Sequence, residues 1–277
     1  DALDAIPDAP GVYLFFGDNP LPLYVGKSTH LRDRIASHFC GDWVREKDLR
    51  LSAEIRRIEF ETTAGELGAL LRESALVKSV MPAHNHALRR RRDAGVLILS
   101  DDGDPSFLRA DAVDPSSVPG AYGPYASKRA MRARLQSLAA GHRLCWIRLG
   151  LERRDGPCFA RQLGRCAGAC VGAESPETHL ARLREALAPD RIPAGPWRGP
   201  ALVREAADDG ERVDVHVVRD WHWIGTARDE AELASLLETP TRPEFDLDVC
   251  RLLLRRYAKA PDTFVPVPPA PPATGET

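Results

Sequence analysis

One carboxylate in this sequence stands where a charge is costly. Glu73 falls in a helical pattern running from Glu66 to about Val80, and its neighbours three and four residues away are Ala69, Leu70, Leu76 and Val77. That spacing puts it in the apolar stripe of the helix rather than on the solvated face. A carboxylate so placed must be paired, protonated or held on a metal, because burying it bare is too costly. Lys27, Arg34 and His38 form a complementary set. Arg34 and His38 are one helical turn apart and share a face, Leu31 and Ile35 are an apolar pair beside them, and Lys27 lies at the start of the same element. Together these groups match what phosphodiester hydrolysis requires: a nucleophilic water, a base for its proton, and positive charge for the phosphorane and the departing 3′ oxygen. A divalent cation on a carboxylate, one or two cationic side chains and a general base are sufficient. Taken singly, Glu73 also fits a core ion pair, and the other three fit an amphipathic helix with a basic outer face.

A second group carries different chemistry. Cys145, Cys158, Cys166 and Cys170 are spaced C-x12-C-x7-C-x3-C. Four thiolates this close in sequence bind either a tetrahedral zinc or an iron–sulfur cluster, and spacing does not separate the two. The bland alternative is a loose group of unligated thiols, which the few apolar neighbours and the crowd of glycines and arginines in the segment disfavour. Cys40 and Cys250 lie outside the pattern and read as simple small residues.

The elements that must position these residues follow from periodicity and punctuation. Gly11–Phe16 and Tyr24–Lys27 read as two strands joined by the turn Gly17-Asp18-Asn19-Pro20, running into a helix from about Thr29. Ala53–Thr62 reads as a strand through Ile55, Ile58 and Phe60. Thr63-Ala64-Gly65-Glu66 has capping-box spacing and opens the helix that carries Glu73, which Pro82 ends. Residues 83–95 then hold His84, Asn85, His86 and the run Arg89–Arg92. Gly95–Ser100 and Ser106–Ala110 suggest a hairpin, Ala130–Ala140 and Pro176–Leu187 helices, and Arg212–Thr226 a second hairpin. Trp221 and Trp223 flank His222 there, and in an alternating strand they share one face, more often as core than as a DNA-stacking pair. Asp229–Leu237 and Asp246–Ala258 read as helices, and the Pro/Ala-rich end from Pro266 as an extended, disordered tail.

The stretch PGVYLFFGDNPLPLYVGKSTHLRDRIASHF, residues 10–39, resembles the signature of the GIY-YIG nucleases, written here GVY and YVG. The resemblance implies an α+β nuclease domain with a small central antiparallel sheet flanked by helices. It also implies one site made of Tyr13, Tyr24, Lys27, Arg34, Glu73 and Asn85. By that likeness Glu73 holds a single Mg2+ or Mn2+, and Tyr13 is the general base with Lys27 lowering its pKa. Arg34 grips the scissile phosphate, Tyr24 orients water or phosphate, and Asn85 orders the site. His38 departs from the pattern, standing where the UvrC component of excinuclease ABC usually has a further tyrosine. The cysteine segment and Tyr122-Gly123-Pro124-Tyr125 also resemble UvrC, which implies a [4Fe-4S] cluster on Cys145, Cys158, Cys166 and Cys170, with zinc as the alternative. After about residue 188 the likeness to UvrC ends. The run GACVGAESPETH and the Trp-His-Trp segment look like the Cho family, the shorter excinuclease homologues. That implies one incision on the 3′ side of a lesion, in nucleotide excision repair. The implied substrate is damaged double-stranded DNA loaded with UvrB, the damage-loading, helicase-like component of excinuclease ABC. The alternatives are another GIY-YIG endonuclease outside excision repair, or a catalytically idle adaptor binding DNA or UvrB.

Composition bounds these readings. With 277 residues, 43% hydrophobic and 28% charged, the chain has material for real cores. No apolar run reaches the length of a membrane span, and the expected compartment is the cytoplasm with no membrane partner. The chain opens on Asp1 rather than Met, so a longer polypeptide ahead of it is also an expectation. The net charge of -2 hides an uneven distribution. Residues 125–170 hold ten Lys/Arg against two Asp/Glu, a balance of +8, and residues 201–277 hold nine against fifteen, a balance of -6. A basic middle suits a DNA-facing surface, and two ordinary solvated surfaces remain the plainer account. The expected organisation is a nuclease domain over 8–100, then a connecting hairpin, basic helix and four-cysteine segment over 101–188. A smaller α+β region over 200–260 and the tail over 261–277 complete it.

Overall fold

A computed structural model of the protein describes residues 3–39, 51–85, 93–193, 199–239 and 243–268. These fall in two compact units, one within residues 1–90 and 197–277 and the other within 91–196. Cys40, His86, the run Arg89–Arg92 and the end of the Pro-rich tail lie outside the described residues.

The first unit starts with an antiparallel sheet of three strands in the order β2-β1-β3: β1 (Gly11–Phe16), β2 (Pro22–Ser28) and β3 (Arg57–Thr62). The central strand β1 is apolar and almost wholly buried, as a strand covered on both faces must be. Helix α1 (Leu31–Ser37) buries Leu31 and Ile35 against Tyr13 and Phe15, with Ile6 and Leu51 closing that cluster. Helix α2 (Glu66–Val80) carries Glu73 and buries Leu67, Ala69, Leu71 and Val77.

Two details differ from the expectation. β3 begins at Arg57 instead of Ala53, and residues 51–54 are helical. Pairing can extend only as far as its partner does, and Arg57 faces Phe16, the last residue of β1. The capping box does not form either. Gly65 is the N-cap of α2 and makes no side-chain cap bond, while the Thr63 hydroxyl donates to the Gly65 carbonyl at 2.8 Å. The Leu67 and Gly68 amides instead donate to Glu205, far away in sequence, and this carboxylate displaces the local cap.

Glu205 belongs to the second sheet of the same unit, ordered β10-β7-β8-β9. Its strands are β7 (Pro200–Ala206), β8 (Val213–Arg219), β9 (His222–Ala227) and β10 (Phe264–Pro266), all antiparallel. Helices α6 (Glu230–Glu238) and α7 (Leu247–Lys259) accompany it, each N-capped by the aspartate before it, Asp229 and Asp246. Trp221 does not alternate with Trp223 in a strand. Asp220 and Trp221, with φ of 48° and 64°, are the two-residue turn between β8 and β9. The turn drives the Trp221 indole inward, against Tyr257 and Phe264. Trp223 is half-buried and donates its indole N–H to Thr226 Oγ1. Cys250 is buried on α7.

The second unit contains a three-stranded sheet ordered β5-β4-β6: β4 (Gly95–Leu99), β5 (Pro105–Arg109) and β6 (Tyr122–Tyr125). Helix α3 (Lys128–His142) and helix α5 (Pro176–Leu187) cover it, and Leu97, Tyr122, Tyr125, Leu135, Leu144, Leu149, Leu183 and Leu187 share one core. Arg134 donates two hydrogen bonds to Asp190, whose carboxylate also accepts from the Tyr125 hydroxyl. The short helix α4 (Phe159–Gln162) lies in the cysteine segment. No helix among the described residues is long and apolar enough to cross a membrane.

Leu135 is 1% exposed at the centre of the second unit's core. Leu135→Ala should cost about 3 kcal/mol of stability through lost transfer energy and the cavity left behind. Urea unfolding followed by circular dichroism measures this, and a loss under about 1 kcal/mol would mean that α3 is not seated in a close-packed core.

Candidate active site

The site forms around β1 and β2, because their register decides which side chains share a face. Tyr13 lies opposite Gly26 and Phe15 opposite Tyr24, so both tyrosines project to one side. Lys27 lies opposite Val12 and projects to the other. Gly26 leaves room for the tyrosine pair. A Cβ there would sit 2.5 Å from Tyr13 Oη and 2.7 Å from Tyr24 Cε1. The edge strand β2 is braced from outside by Asn85. Its Oδ1 accepts from the Val25 amide at 2.9 Å and its Nδ2 donates to the Val25 carbonyl at 2.8 Å, as a neighbouring strand would.

Tyr13 is wholly buried, and its hydroxyl lies 2.8 Å from His38 Nε2, at the C-terminal end of α1. Burial is the main reason its pKa stands far above the tyrosine value, with the Tyr24 charge adding to it and Arg34 opposing. Tyr24 is raised by burial and by the charge of Glu73, again against Arg34. The Arg34 guanidinium is in turn raised, chiefly by the charge of Tyr13 beside it, with Tyr24 adding to the effect and burial opposing it. The cation beside Tyr13 is therefore Arg34. The expectation that Lys27 lowers the Tyr13 pKa is corrected, since strand alternation carries Lys27 to the opposite face.

Lys27 instead donates to Glu66 Oε1 at 3.1 Å. Its charge opposes burial at Glu73, where burial prevails and raises the carboxyl pKa. Sequence reasoning reads Glu66 only as a capping-box carboxylate and not as a partner of Lys27, although a signal exists: it precedes Glu73 by seven residues, two helical turns on one face of α2. Glu73 is half-buried, and among the described residues no hydrogen bond satisfies its carboxylate. A cation fits that position, since it would supply what the protein leaves unmet. The structure thus brings Tyr13, Tyr24, Arg34 and His38 into direct contact, places Lys27 and Glu73 within electrostatic reach, and sets Asn85 behind the strand between Tyr24 and Gly26.

The four cysteines of the second unit also converge. The Sγ atoms of Cys145, Cys158, Cys166 and Cys170 all lie within 4.8 Å of one another, and the first three residues are buried. Backbone amides point into the group: Cys158 N–H donates to Cys170 Sγ and Gly168 N–H to Cys166 Sγ. Burial pushes Cys145 up to about 12 and raises Cys166. Cys158, though burial pushes it up too, is held below the thiol value by amide hydrogen bonds from Arg161 and Trp146 and by its thiol neighbours. Four sulfurs gathered so closely suit a bound cation. His179, which spacing alone does not single out, accepts the Cys145 N–H on Nε2 at 3.0 Å. Burial, Arg182 and Arg148 hold its pKa down to about 4, so it is neutral.

Comparison with known proteins covers nearly the whole chain. The profile of the UvrC-like GIY-YIG domain matches residues 9–86, that of the UvrC/Cho excinuclease middle domain 97–189, and that of the excinuclease Cho C-terminal domain 200–271. The excinuclease cho proteins of Escherichia coli K12 and Salmonella typhi are each 38% identical over 257 residues, 91% of this chain and 84% of theirs. The UvrABC system protein C of Desulforudis audaxviator is 32% identical over 181 residues, 65% of this chain and 29% of that protein. The magnesium-bound GIY-YIG N-terminal endonuclease domain of UvrC from Thermotoga maritima is 30% identical over 30% of this chain and 90% of that one, with a TM-score of 0.28.

Gly26→Ala is the sharpest test of the tyrosine geometry. Its methyl group must displace the Tyr13 ring or the Tyr24 ring, and a displacement of about 1 Å costs on the order of 100-fold in turnover. Nicking of supercoiled DNA measures the rate. Wild-type turnover in a folded Gly26→Ala protein would show that the two rings need not hold this arrangement.

Proposed function

This chain belongs to the excinuclease Cho family and is a GIY-YIG DNA endonuclease, and from that premise we propose the incision it makes and the residues that make it. The proposed reaction is a single metal-dependent hydrolysis on the 3′ side of a lesion, in damaged DNA loaded with UvrB. The observation that carries the chemistry is the contact of Tyr13 with His38 and Arg34, in a site where Glu73 lacks a hydrogen-bonding partner among the described residues. Domain roles follow the expected order with one shift, since β4 belongs to the second unit: the sheet and helices within residues 8–90 cut, the unit of residues 91–196 carries the cysteine centre, and 200–260 supports the cutting domain.

Glu73 would hold the Mg2+ or Mn2+, which when bound would supply positive charge to the phosphorane and lower the pKa of the attacking water. Tyr13 takes the water proton on Oη while its own proton passes to His38 Nε2 across 2.8 Å. This relay suits a tyrosine whose raised pKa forbids a standing tyrosinate. As the water oxygen bonds to phosphorus, the P–O3′ bond breaks, and the 3′ oxygen leaves with the bonding pair and takes a proton from solvent. Arg34, whose charge acts on both tyrosines, grips the scissile phosphate in the bidentate geometry that guanidinium favours. Tyr24 orients the water or a phosphate oxygen. Lys27 holds Glu66 and keeps positive charge beside Glu73. Asn85 keeps β2, and hence Tyr24, in register.

The cysteine set is proposed to hold a [4Fe-4S] cluster, by its likeness to UvrC. One observation favours zinc. A tetrahedral zinc with Zn–S near 2.3 Å places its sulfurs roughly 3.8 Å apart, compatible with thiols gathered within one small shell. The bulkier cubane requires them to spread. Cytoplasmic location, and DNA and UvrB as partners, complete the proposal.

Two experiments test it. An end-labelled duplex with one bulky lesion, incubated with Mg2+ or Mn2+ and the damage-loading proteins, should be cut once, 3′ to the lesion. Glu73→Ala should lower the rate about 1000-fold. Cutting that needs neither lesion nor UvrB would move the enzyme to another GIY-YIG role. In the second, anaerobically purified protein should be brown with the visible absorbance of thiolate-bound iron, lost in Cys158→Ala. Colourless protein with one zinc per chain would replace the cluster with zinc.

A further inference from the structure

Helix α2 is anchored at both ends by side chains more than a hundred residues away. Its first-turn amides need acceptors, as those of every helix do. Leu67 N–H donates to Glu205 Oε1 at 3.0 Å and Gly68 N–H to Oε2 at 2.7 Å, from strand β7. The preceding Ala64 N–H donates to Asp214 Oδ2 at 2.8 Å, from β8. Arg212 ties that aspartate to the end of β3, donating to Asp214 Oδ1 at 3.0 Å and to Thr62 Oγ1 at 2.8 Å. Behind Glu205, the buried His216 places Nε2 3.1 Å from Oε2 and Nδ1 2.8 Å from Thr226 Oγ1. Burial alone would raise the Glu205 carboxyl, but His216 and the Gly68 and Leu67 amides together hold it below its ordinary range. The far end of α2 is held as firmly. Lys78, with 9% of its side chain exposed, donates to Ser74 Oγ at 2.6 Å, Asp246 Oδ1 at 2.7 Å and Asp248 Oδ2 at 3.1 Å.

The fit at the N-terminal end is close. A Cβ on Gly65 would lie 2.5 Å from Glu205 Oε1, so the carboxylate occupies space that only glycine leaves open. Glu73 lies between the two anchors, about 9 Å of helix rise from Leu67. No hydrogen bond among the described residues fixes it, so its position is inherited from the helix.

We propose that Glu205 is a positioning residue for the endonuclease: the C-terminal sheet, through this carboxylate, sets the helix that presents Glu73 to the cation. The inference rests on the reading of Glu73 as the cation ligand. It gives the C-terminal region a role in incision that requires no contact with DNA.

The test uses the full chain and compares Glu205→Gln, Gly65→Ala and Glu73→Ala with wild type. Leu135→Ala, in the other unit, serves as a variant that is only destabilised. Glu205→Gln removes the charge and one acceptor, whereas Gly65→Ala displaces the intact carboxylate, so a folding failure of one leaves the other. Mn2+ binding is measured by isothermal titration, and exchange of the Leu67 and Gly68 amides by hydrogen–deuterium exchange. Both variants should speed that exchange and weaken Mn2+ binding about 3- to 10-fold, in line with losing a helix cap that supports a metal ligand. The Mn2+ concentration for half-maximal nicking should rise by the same factor, with turnover at saturating Mn2+ changed less. Leu135→Ala should leave Mn2+ affinity alone. If Glu73→Ala abolishes binding while Glu205→Gln and Gly65→Ala bind as wild type, Glu205 is a stability cap and the inference is overturned. If Glu73→Ala binds Mn2+ as wild type, the cation reading fails and takes the inference with it.

Discussion

A half-buried carboxylate with no hydrogen-bonding partner among the described residues is an unfavourable thing to hold in place, and the first unit is arranged around holding one. Burial raises the Glu73 pKa, Lys27 only partly offsets it, and nothing among the described residues fixes its oxygens directly. The constraint therefore passes to the backbone of α2, which must be rigid for Glu73 to be placed at all. Glu205 and Asp214 at one end, and Asp246 and Asp248 at the other, meet that demand. Both sets depend on the chain returning, after an entire second unit, to pack beside the helix it left. A fold that sends the C-terminal region back to the nuclease sheet has a physical reason to do so.

The facing half of the site solves the converse problem. Tyr13 is fully buried and strongly biased towards its neutral form, so it needs a partner for its proton rather than a partner for a charge. His38 at 2.8 Å is such a partner, and it sits at the end of α1, where the apolar pair Leu31 and Ile35 locks the helix on β1. Gly26 and Asn85 complete the arrangement on β2, one by absence of a side chain and the other by imitating a strand. Geometry in this half thus comes from the sheet, and in the other half from the anchored helix.

Much of this is legible in the sequence, where the determinants are local. The two strands, α1 and the limits of α2 follow from periodicity and from Pro82, and the convergence of the four cysteines from their closeness along the chain. The departures share a cause. Thr63-x-x-Glu66 has the form of a capping box, yet a carboxylate from residue 205 outcompetes it, and no local pattern can announce a partner 138 residues away. The likeness to the GIY-YIG nucleases invites pairing Lys27 with Tyr13, whereas register puts the two on opposite faces. Apolar alternation runs through Trp221 and invites a strand, while the backbone at Asp220 and Trp221 turns left-handed. In each case tertiary pairing overrides a correct local preference.

The same reasoning changes the meaning of charge along the chain. Residues 201–277 carry an excess of six negative charges, which invites reading them as a surface that DNA avoids or a partner seeks. Several of those acids are not surface features. Glu205 and Asp214 are spent on the start of α2 and Asp246 and Asp248 on Lys78, and their charge is neutralised by amides, Arg212, His216 and that lysine. Asp229 and Asp246 also cap their own helices. Net charge counts such groups as if they faced solvent, although their field is largely cancelled within a few ångströms. Part of the acidic composition of this region records the docking of the C-terminal sheet and helix on the two ends of α2, carboxylates being the natural acceptors for the amides at its N-terminus.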